Sequence, residues 1–135
     1  MASYTDLQVW KEARILNKQV SDLARKLPDY ELYGLSSQMR RASVSIGSNI
    51  AEGRGRGTLK DYIHFLYMAI GSAYELGTQL MYTVDMGYMD EATVRPILGQ
   101  LSKVTWQLHN LMDSLKAKAK QKSIKVDEDI DEYGD

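Results

Sequence analysis

The residues of this chain with the most chemical potential are two histidines, a glycine-rich GRGRG stretch and several serines. In the turn that follows His64 or His109, Asp113 is the one potential second metal ligand, and no glutamate precedes a histidine by three residues. Residues 53–57 follow a helical pattern rather than a strand and lack the Gly-Lys-Ser/Thr ending of a phosphate-binding loop. The serines have no histidine nearby in sequence and no strand-turn-helix elbow. We therefore expect no metal, no cofactor and no enzymatic activity.

Composition sets the broad class of the protein. The 135 residues are 44% hydrophobic and 26% charged, which is typical of one soluble domain, and there is no cysteine for a disulfide or a thiolate metal site. The longest uncharged central stretch, residues 62–74, has 13 residues, fewer than the ~20 needed to span a bilayer. The N-terminus lacks the pattern of a secretory signal. The sequence predicts a cytoplasmic protein without a membrane segment.

Charge is unevenly distributed along the chain. Residues 123–135 contain six acids and one base, whereas residues 1–122 carry a net charge of +4 within an overall charge of −1. This composition predicts a disordered acidic tail over 123–135 after a folded domain over 1–122. The candidate nucleic-acid-binding residues are the clustered bases Arg40, Arg41, Arg54, Arg56, Lys60, Lys116, Lys118, Lys120 and Lys122. A solvated surface is the alternative explanation for these clusters.

Four segments carry apolar residues on one helical face, at steps of three or four residues in the first two segments and of seven in the last two. Their rows are Val9, Ala13, Leu16, Val20, Leu23 and Leu27; Leu35, Met39, Ala42, Ile46 and Ile50; Leu59, Leu66, Ala73 and Leu80; and Leu101, Leu108 and Leu115. Short links make sequential helices antiparallel neighbours. The sequence therefore predicts an all-α fold, an antiparallel up-down-up-down four-helix bundle.

Two helix starts can be placed from capping residues. Thr58 is followed three residues later by Asp61, which is the spacing of a capping box at the start of the third helix. The fourth helix begins between residues 90 and 93. With Thr93 as its N-cap, Pro96 occupies the third helical position, where its missing N–H costs no hydrogen bond.

The third segment has a second apolar row beside the row that fills the core. It consists of Tyr67, Tyr74, Met81 and Tyr88, each seven residues from the next. An apolar face this wide is unusual in a small monomeric bundle and is a liability if left in water. We interpret this row as an oligomer interface.

A polar pair interrupts the small residues of the second segment. Asn49 and Glu52 lie about one turn apart, beside serines, alanines and a glycine that allow close helix packing. We interpret them as a structural motif, hydrogen-bonded to neighbouring backbone or to arginine, with a ligand site as the alternative of equal weight.

The sequence around this pair resembles a known family. The run RRASVSIGSNIAEGRGR (40–56) resembles the signature of the 23S rRNA intervening-sequence protein family. The segments DLQVWKEA (6–13), YGLSSQMRRA (33–42) and FLYMAIGSAYEL (65–76) extend the match in the family's order and spacing. Gly47 stands where members often have proline, and Gly77 where a glutamate is common. The acidic tail lies outside the resemblance.

The resemblance implies a four-helix bundle that assembles into a ring, commonly a homopentamer. It also implies kinship with the accessory protein of diversity-generating retroelements, a basic bundle that binds nucleic acid and a reverse transcriptase. The leading hypothesis is a non-enzymatic oligomeric scaffold that binds RNA or DNA through basic surface. The rival hypothesis is a protein–protein adaptor ring, for example an accessory subunit for a reverse transcriptase, with no direct nucleic-acid role.

Overall fold

The computed structural model describes residues 3–133, with side chains for residues 3–123. Its four α-helices are α1 (Gln8–Ala24), α2 (Leu35–Gly55), α3 (Leu59–Asp85) and α4 (Glu91–Tyr133). Short 3-10 turns at Tyr4–Asp6 and Asp29–Glu31 complete the described secondary structure, which contains no strand. The predicted all-α class is confirmed.

The helices pack in a closed circuit, in which α1 contacts α2 and α4, and α3 contacts α2 and α4. Their connections span residues 25–34, 56–58 and 86–90, short enough to make each helix the antiparallel neighbour of the next. The predicted rows form the centre of the core, where Leu16, Met39, Ile46, Leu66, Leu80 and Leu108 are completely buried. The predicted four-helix bundle is therefore confirmed.

The start of α4 lies within the predicted range of residues 90–93, although Thr93 is not its N-cap. Asp90, rather than Thr93, caps the helix, because an Asp90 carboxylate oxygen accepts a hydrogen bond from the Thr93 backbone N–H at 2.8 Å. A carboxylate is a strong cap because it also faces the positive end of the helix dipole. The helix begins at Glu91, so Pro96 lies inside it, at the sixth position rather than the third.

The end of α4 also differs from the expectation. The sequence predicted a disordered tail from residue 123, whereas the described backbone continues as helix to Tyr133. The chain has neither glycine nor proline between Gly99 and Gly134, so nothing in its local chemistry stops the helix earlier. The acidic residues as far as Glu132 thus belong to a continuation of α4. Residues 134 and 135, the last of the predicted tail, lie outside the described residues.

Gly53 lies where α2 packs closely against α3. A Cβ added there would lie 2.8 Å from the Phe65 Cβ and 3.3 Å from the Tyr62 carbonyl oxygen. Because one of these atoms is backbone, the helices themselves must separate to admit a methyl group. We expect Gly53→Ala to lower the free energy of unfolding by about 2 kcal/mol, measured by urea denaturation.

The matched control is Gly71→Ala in α3, where an added Cβ has no neighbour within 4 Å. There the substitution should leave stability unchanged or raise it by about 0.5–1 kcal/mol through helix propensity. Equal effects at the two glycines would contradict the close-packing explanation.

Candidate nucleic-acid interface

Two contacts establish how α3 and α4 run past each other. Lys116 Nζ lies 4.7 Å from the centroid of the Tyr67 ring, and Tyr74 Oη lies 3.1 Å from His109 Nε2. Each step of seven residues toward the start of α3 therefore matches a step of seven toward the end of α4. This antiparallel register places Lys60 at about the level of Ser123, so the lysines at 116–122 lie alongside the first turns of α3.

The end of α2 adds two arginines at the same level. Arg56 forms an ion pair with Glu52 at 2.9 Å, and its guanidinium carbon lies 5.0 Å from the centroid of the Phe65 ring. Its side chain is nevertheless 50% exposed. Arg54 lines a cavity at the turn between α2 and α3. We call the resulting set the basic end: Arg54, Arg56, Lys60, Lys116, Lys118, Lys120 and Lys122.

Arg40 and Arg41 are not part of the basic end. They lie fourteen residues before Arg54 and fifteen before Arg56 on one continuous helix, which corresponds to roughly 20 Å along its axis. Arg41 is exposed, whereas Arg40 is half-buried and its Nε is enclosed with no hydrogen-bond partner among the described residues. The nine predicted residues are thus divided into one large cluster and a separate arginine pair.

The polar pair of α2 makes local contacts. The Asn49 side-chain amide donates to the Ser45 carbonyl oxygen at 2.8 Å and to Ser45 Oγ at 2.9 Å. Ser45 Oγ in turn lies 2.8 Å from Ser72 Oγ, which connects α2 to α3. Glu52 is paired with Arg56. Asn49 is thus bonded within its own helix and Glu52 to an arginine, and the choice between a structural motif and a ligand site stays a prediction.

The second apolar row is exposed along α3, but it is shorter than predicted. Tyr67, Tyr74 and Met81 are half exposed or more, at 52%, 60% and 50%. Tyr88 does not continue the row, because α3 ends at Asp85 and the chain turns at Gly87, which has a φ of 75°. The predicted interface is thus reduced to its three helical members.

Tyr88 instead contacts the loop between α1 and α2. Its ring packs edge-on against Tyr30, and its hydroxyl donates to a Glu31 carboxylate oxygen at 2.8 Å. Interaction with Tyr30 and then with Glu31 raises the pKa of Tyr88 above its ordinary value. This cluster closes the bundle at the end opposite the basic end.

A buried carboxylate that the sequence analysis did not single out connects α1 to α4. Glu12 is only 5% exposed, and its side chain accepts from Gln100 Nε2 at 2.6 Å and Gln8 Nε2 at 2.9 Å. Lys103 Nζ lies 3.1 Å from the same carboxylate. The hydrogen bond from Gln100, followed by the one from Lys103, lowers the Glu12 pKa. Its burial could have been predicted from its position three residues after Val9 and four before Leu16, on the apolar face of α1.

The described part of the chain has neither a metal-binding cluster nor a membrane-spanning helix. No group of three His, Asp or Glu side chains there could hold a metal ion. None of its helices is both long enough and apolar enough to cross a membrane.

Comparison with known proteins gives a family and a structural relative. No curated protein matches the chain. The structure is similar to the 1.70 Å crystal structure of a protein of unknown function from the S23 ribosomal protein family of Bacteroides thetaiotaomicron VPI-5482. The TM-score is 0.72 at 21% identity, covering 77% of this chain and 97% of that one, which shows a shared fold. The model of the 23S rRNA-intervening sequence proteins matches residues 5–110. The chain is therefore a member of the 23S rRNA-intervening sequence protein family.

Proposed function

We propose that this protein is a non-enzymatic, oligomeric scaffold that binds RNA or DNA through the basic end. The observation that carries the proposal is the meeting of two basic clusters that lie about sixty residues apart in sequence. Four side chains at 116–122 lie at the same level of the bundle as Arg54, Arg56 and Lys60. A concentration of cations of this kind attracts a polyanion such as a nucleic-acid backbone.

Oligomerisation would strengthen this attraction. Residues 1–122 carry a net charge of +4, so a five-fold ring would bring about twenty excess positive charges into one field. The exposed row of Tyr67, Tyr74 and Met81 supports self-association, because it leaves a long apolar stripe in water.

We expect the protein to be larger than its monomer mass of 15.3 kDa in solution. Light scattering coupled to size exclusion at micromolar concentration measures this directly. Tyr74→Lys should shift the mass toward the monomer, whereas Met68→Lys, on another face of the same helix, should not. A wild-type mass of about 15 kDa would contradict the oligomer.

The central experiment is an electrophoretic shift assay with structured RNA and with duplex DNA over a series of salt concentrations. Binding through phosphates weakens steeply as salt rises, because the release of condensed counterions into a more concentrated salt solution gains less free energy. Affinity that hardly changes with salt, or an absence of binding at low salt, would contradict phosphate recognition.

The acidic end of α4 should weaken nucleic-acid binding. Cutting after Lys122 raises the net charge from −1 to +4, and the removed segment begins immediately beside the basic end. We expect the shortened chain to bind several-fold more tightly at low salt, with the difference shrinking as salt screens the charges. A full-length variant with Asn and Gln in place of the six acids separates charge from length. If the full chain and the shortened chain bind with equal affinity at low ionic strength, the acidic segment has no part in nucleic-acid binding.

The second candidate function is an adaptor ring that presents helices to a protein such as a reverse transcriptase. The same exposed row on α3 favours it, since an apolar stripe can bind a partner as readily as a second copy. An apolar partner interface would persist at salt concentrations that abolish phosphate binding.

A further inference from the structure

The end of the bundle opposite the basic end presents large side chains to solvent. We call it the aromatic end and define it by Tyr30, Leu32, Tyr33 and Met86, which lie in the connections at 25–34 and 86–90. Tyr33 is 93% exposed and Tyr30 is 76% exposed, more than any other large hydrophobic residue that the structure describes. An aromatic side chain can bury roughly 150–250 Å² on binding, so these two tyrosines alone offer on the order of 300 Å². An exposed patch of this size is often an interaction site.

Local contacts hold the aromatic end in one arrangement. The Tyr88 hydroxyl donates to one Glu31 carboxylate oxygen at 2.8 Å, and the other oxygen accepts from the Leu35 backbone N–H at 3.3 Å. The Tyr88 ring meets the Tyr30 ring edge-on, with 6.1 Å between their centroids, which joins the two connections. The Tyr88 backbone N–H donates to the Thr83 carbonyl oxygen at 2.9 Å. Tyrosines on a fixed backbone lose little conformational entropy on binding, because only two side-chain torsions must be ordered.

The aromatic end differs from the basic end in the sign of its charge. Residues 22–34 and 85–95 contain six acids and three bases. Two of these bases already lie within 3.9 Å of neighbouring carboxylates. Asp29 and Asp85 are exposed, and neither side chain has a hydrogen-bond or ion-pair partner in the described part of the chain. A surface of this composition attracts cationic groups and repels nucleic acid.

We propose that the aromatic end binds a basic segment of a protein partner, one that carries arginine or lysine. The rings of Tyr30 and Tyr33 receive the cationic groups through cation–π contacts, and the carboxylates of Asp29 and Asp85 pair with them. Tyrosine and arginine are both frequent among the residues that dominate protein interfaces. This surface goes beyond the proposed function, because it lies at the opposite end of the bundle and leaves the basic end available to nucleic acid.

A second copy of the chain fits this surface less well than a separate protein. Its own cations are concentrated at the basic end, so the contact would join opposite ends of two molecules. A contact between two different surfaces of the same chain does not close on itself unless the copies form a ring, and stacking along the bundle axis produces open chains. Such stacking would also cover the basic end.

The test uses three fluorescein-labelled peptides of twelve residues, in which alanine alternates with arginine, lysine or glutamine. Fluorescence anisotropy gives their affinities for the full chain and for the full-length variant in which Asn and Gln replace the six acids at 127–135. The variant is included because those acids also attract basic peptides. Both proteins should bind the arginine peptide at least tenfold more tightly than the glutamine peptide, with the lysine peptide between them.

Substitution of Tyr33 tests the aromatic contribution. Tyr33→Ala should weaken binding of the arginine peptide about fivefold, whereas Tyr33→Phe keeps the ring and should retain the affinity. The matched control is Trp106→Ala, which removes an aromatic residue that is 67% exposed on the outer surface of α4 and should change nothing. Because these side chains are exposed, all three variants should unfold at the wild-type temperature.

Substitution of the two unpaired carboxylates tests the charge. Asp29→Asn combined with Asp85→Asn should weaken binding of the arginine peptide about fivefold at low salt. Asp61→Asn combined with Asp113→Asn removes the same charge from exposed positions outside the aromatic end, and should change the affinity less than twofold.

Carbodiimide cross-linking of the lysine peptide locates the contact, because it joins an amine to a carboxylate that touches it. Mass spectrometry should find the peptide on Asp29 or Asp85. Cross-links confined to the acids at 127–135 would overturn the proposal, as would equal losses of affinity in Tyr33→Ala and Trp106→Ala. Absence of arginine-peptide binding at low salt would overturn it too. Open-ended, salt-sensitive growth of the wild-type particle with concentration, lost in Tyr33→Ala, would overturn it in favour of a second copy.

Discussion

Replacing Lys118, Lys120 and Lys122 together by glutamine should lower the affinity for duplex DNA about five-hundredfold at 0.1 M salt. All three side chains are exposed on the part of α4 that runs alongside the start of α3. Each phosphate contact contributes about 0.9 to the slope of log affinity against log salt. At 0.1 M salt, each contact therefore raises the affinity for DNA roughly eightfold. The slope itself should fall by about three. Filter binding over a salt series measures both quantities.

The control removes the same charge from the opposite end of the bundle. Arg25, Lys26 and Arg95 lie just after α1 and near the start of α4, and their replacement by glutamine changes net charge equally. This variant should lose only a few-fold in affinity, because its cations are far from the proposed contact surface. If the two triple variants lose affinity equally, binding depends on overall charge and the basic end is not a site.

Replacing Glu12 by alanine should lower the free energy of unfolding by about 3 kcal/mol. The substitution leaves the Gln100 amide without its carboxylate acceptor, takes the ion-pair partner from Lys103 and opens a void between α1 and α4. Lys103 is 54% exposed and can be rehydrated, which keeps the cost below that of a fully buried unpaired cation. Chemical denaturation at pH 7 gives the value. Glu75→Ala, on the outer surface of α3, should cost less than about 1 kcal/mol, and a similar loss at both positions would contradict the role assigned to Glu12.

The same carboxylate makes stability depend on pH in a defined direction. The pKa of Glu12 is lowered in the folded state from its ordinary value of 4.5, chiefly by the hydrogen bond from Gln100. The unfolded chain therefore binds the proton more readily. The contribution of Glu12 is fully present above pH 4.5 and is lost as the pH falls through the lower folded-state pKa. The Glu12→Gln variant should lack this pH-dependent contribution to stability. The difference in free energy of unfolding between wild type and variant should therefore narrow on acidification from pH 6 to pH 3. A constant difference over that range would contradict the assignment.

The helices and the residues that fill the core could be predicted from the sequence. Leu16, Ile46, Leu66 and Leu108 each belong to a row of apolar residues at helical spacing. Such a row marks the buried face of its helix however the helices are arranged. The short glycine-containing link at 56–58 also determined that α2 and α3 are antiparallel. These features could be predicted because each depends on residues only a few positions apart.

Where α4 begins and ends was less predictable. Asp90 and Thr93 are both good caps, and which one begins the helix depends on how the chain leaves Gly87. Tyr88 continues the seven-residue spacing of Tyr67 and Tyr74, but α3 has ended before it is reached. A sequence period carries no information about where the backbone leaves the helix.

The contacts between residues distant in sequence could not be predicted and follow from the packing of the helices. The lysines at 116–122 lie beside Lys60 because α3 and α4 pack in one particular antiparallel register. Glu12 accepts a hydrogen bond from Gln100, 88 residues away in sequence. Tyr62 and Arg54 line the same cavity. Such pairs depend on the relative offset and rotation of whole helices. These are selected by the fit of side chains across the core rather than by the local propensities that a single sequence reveals.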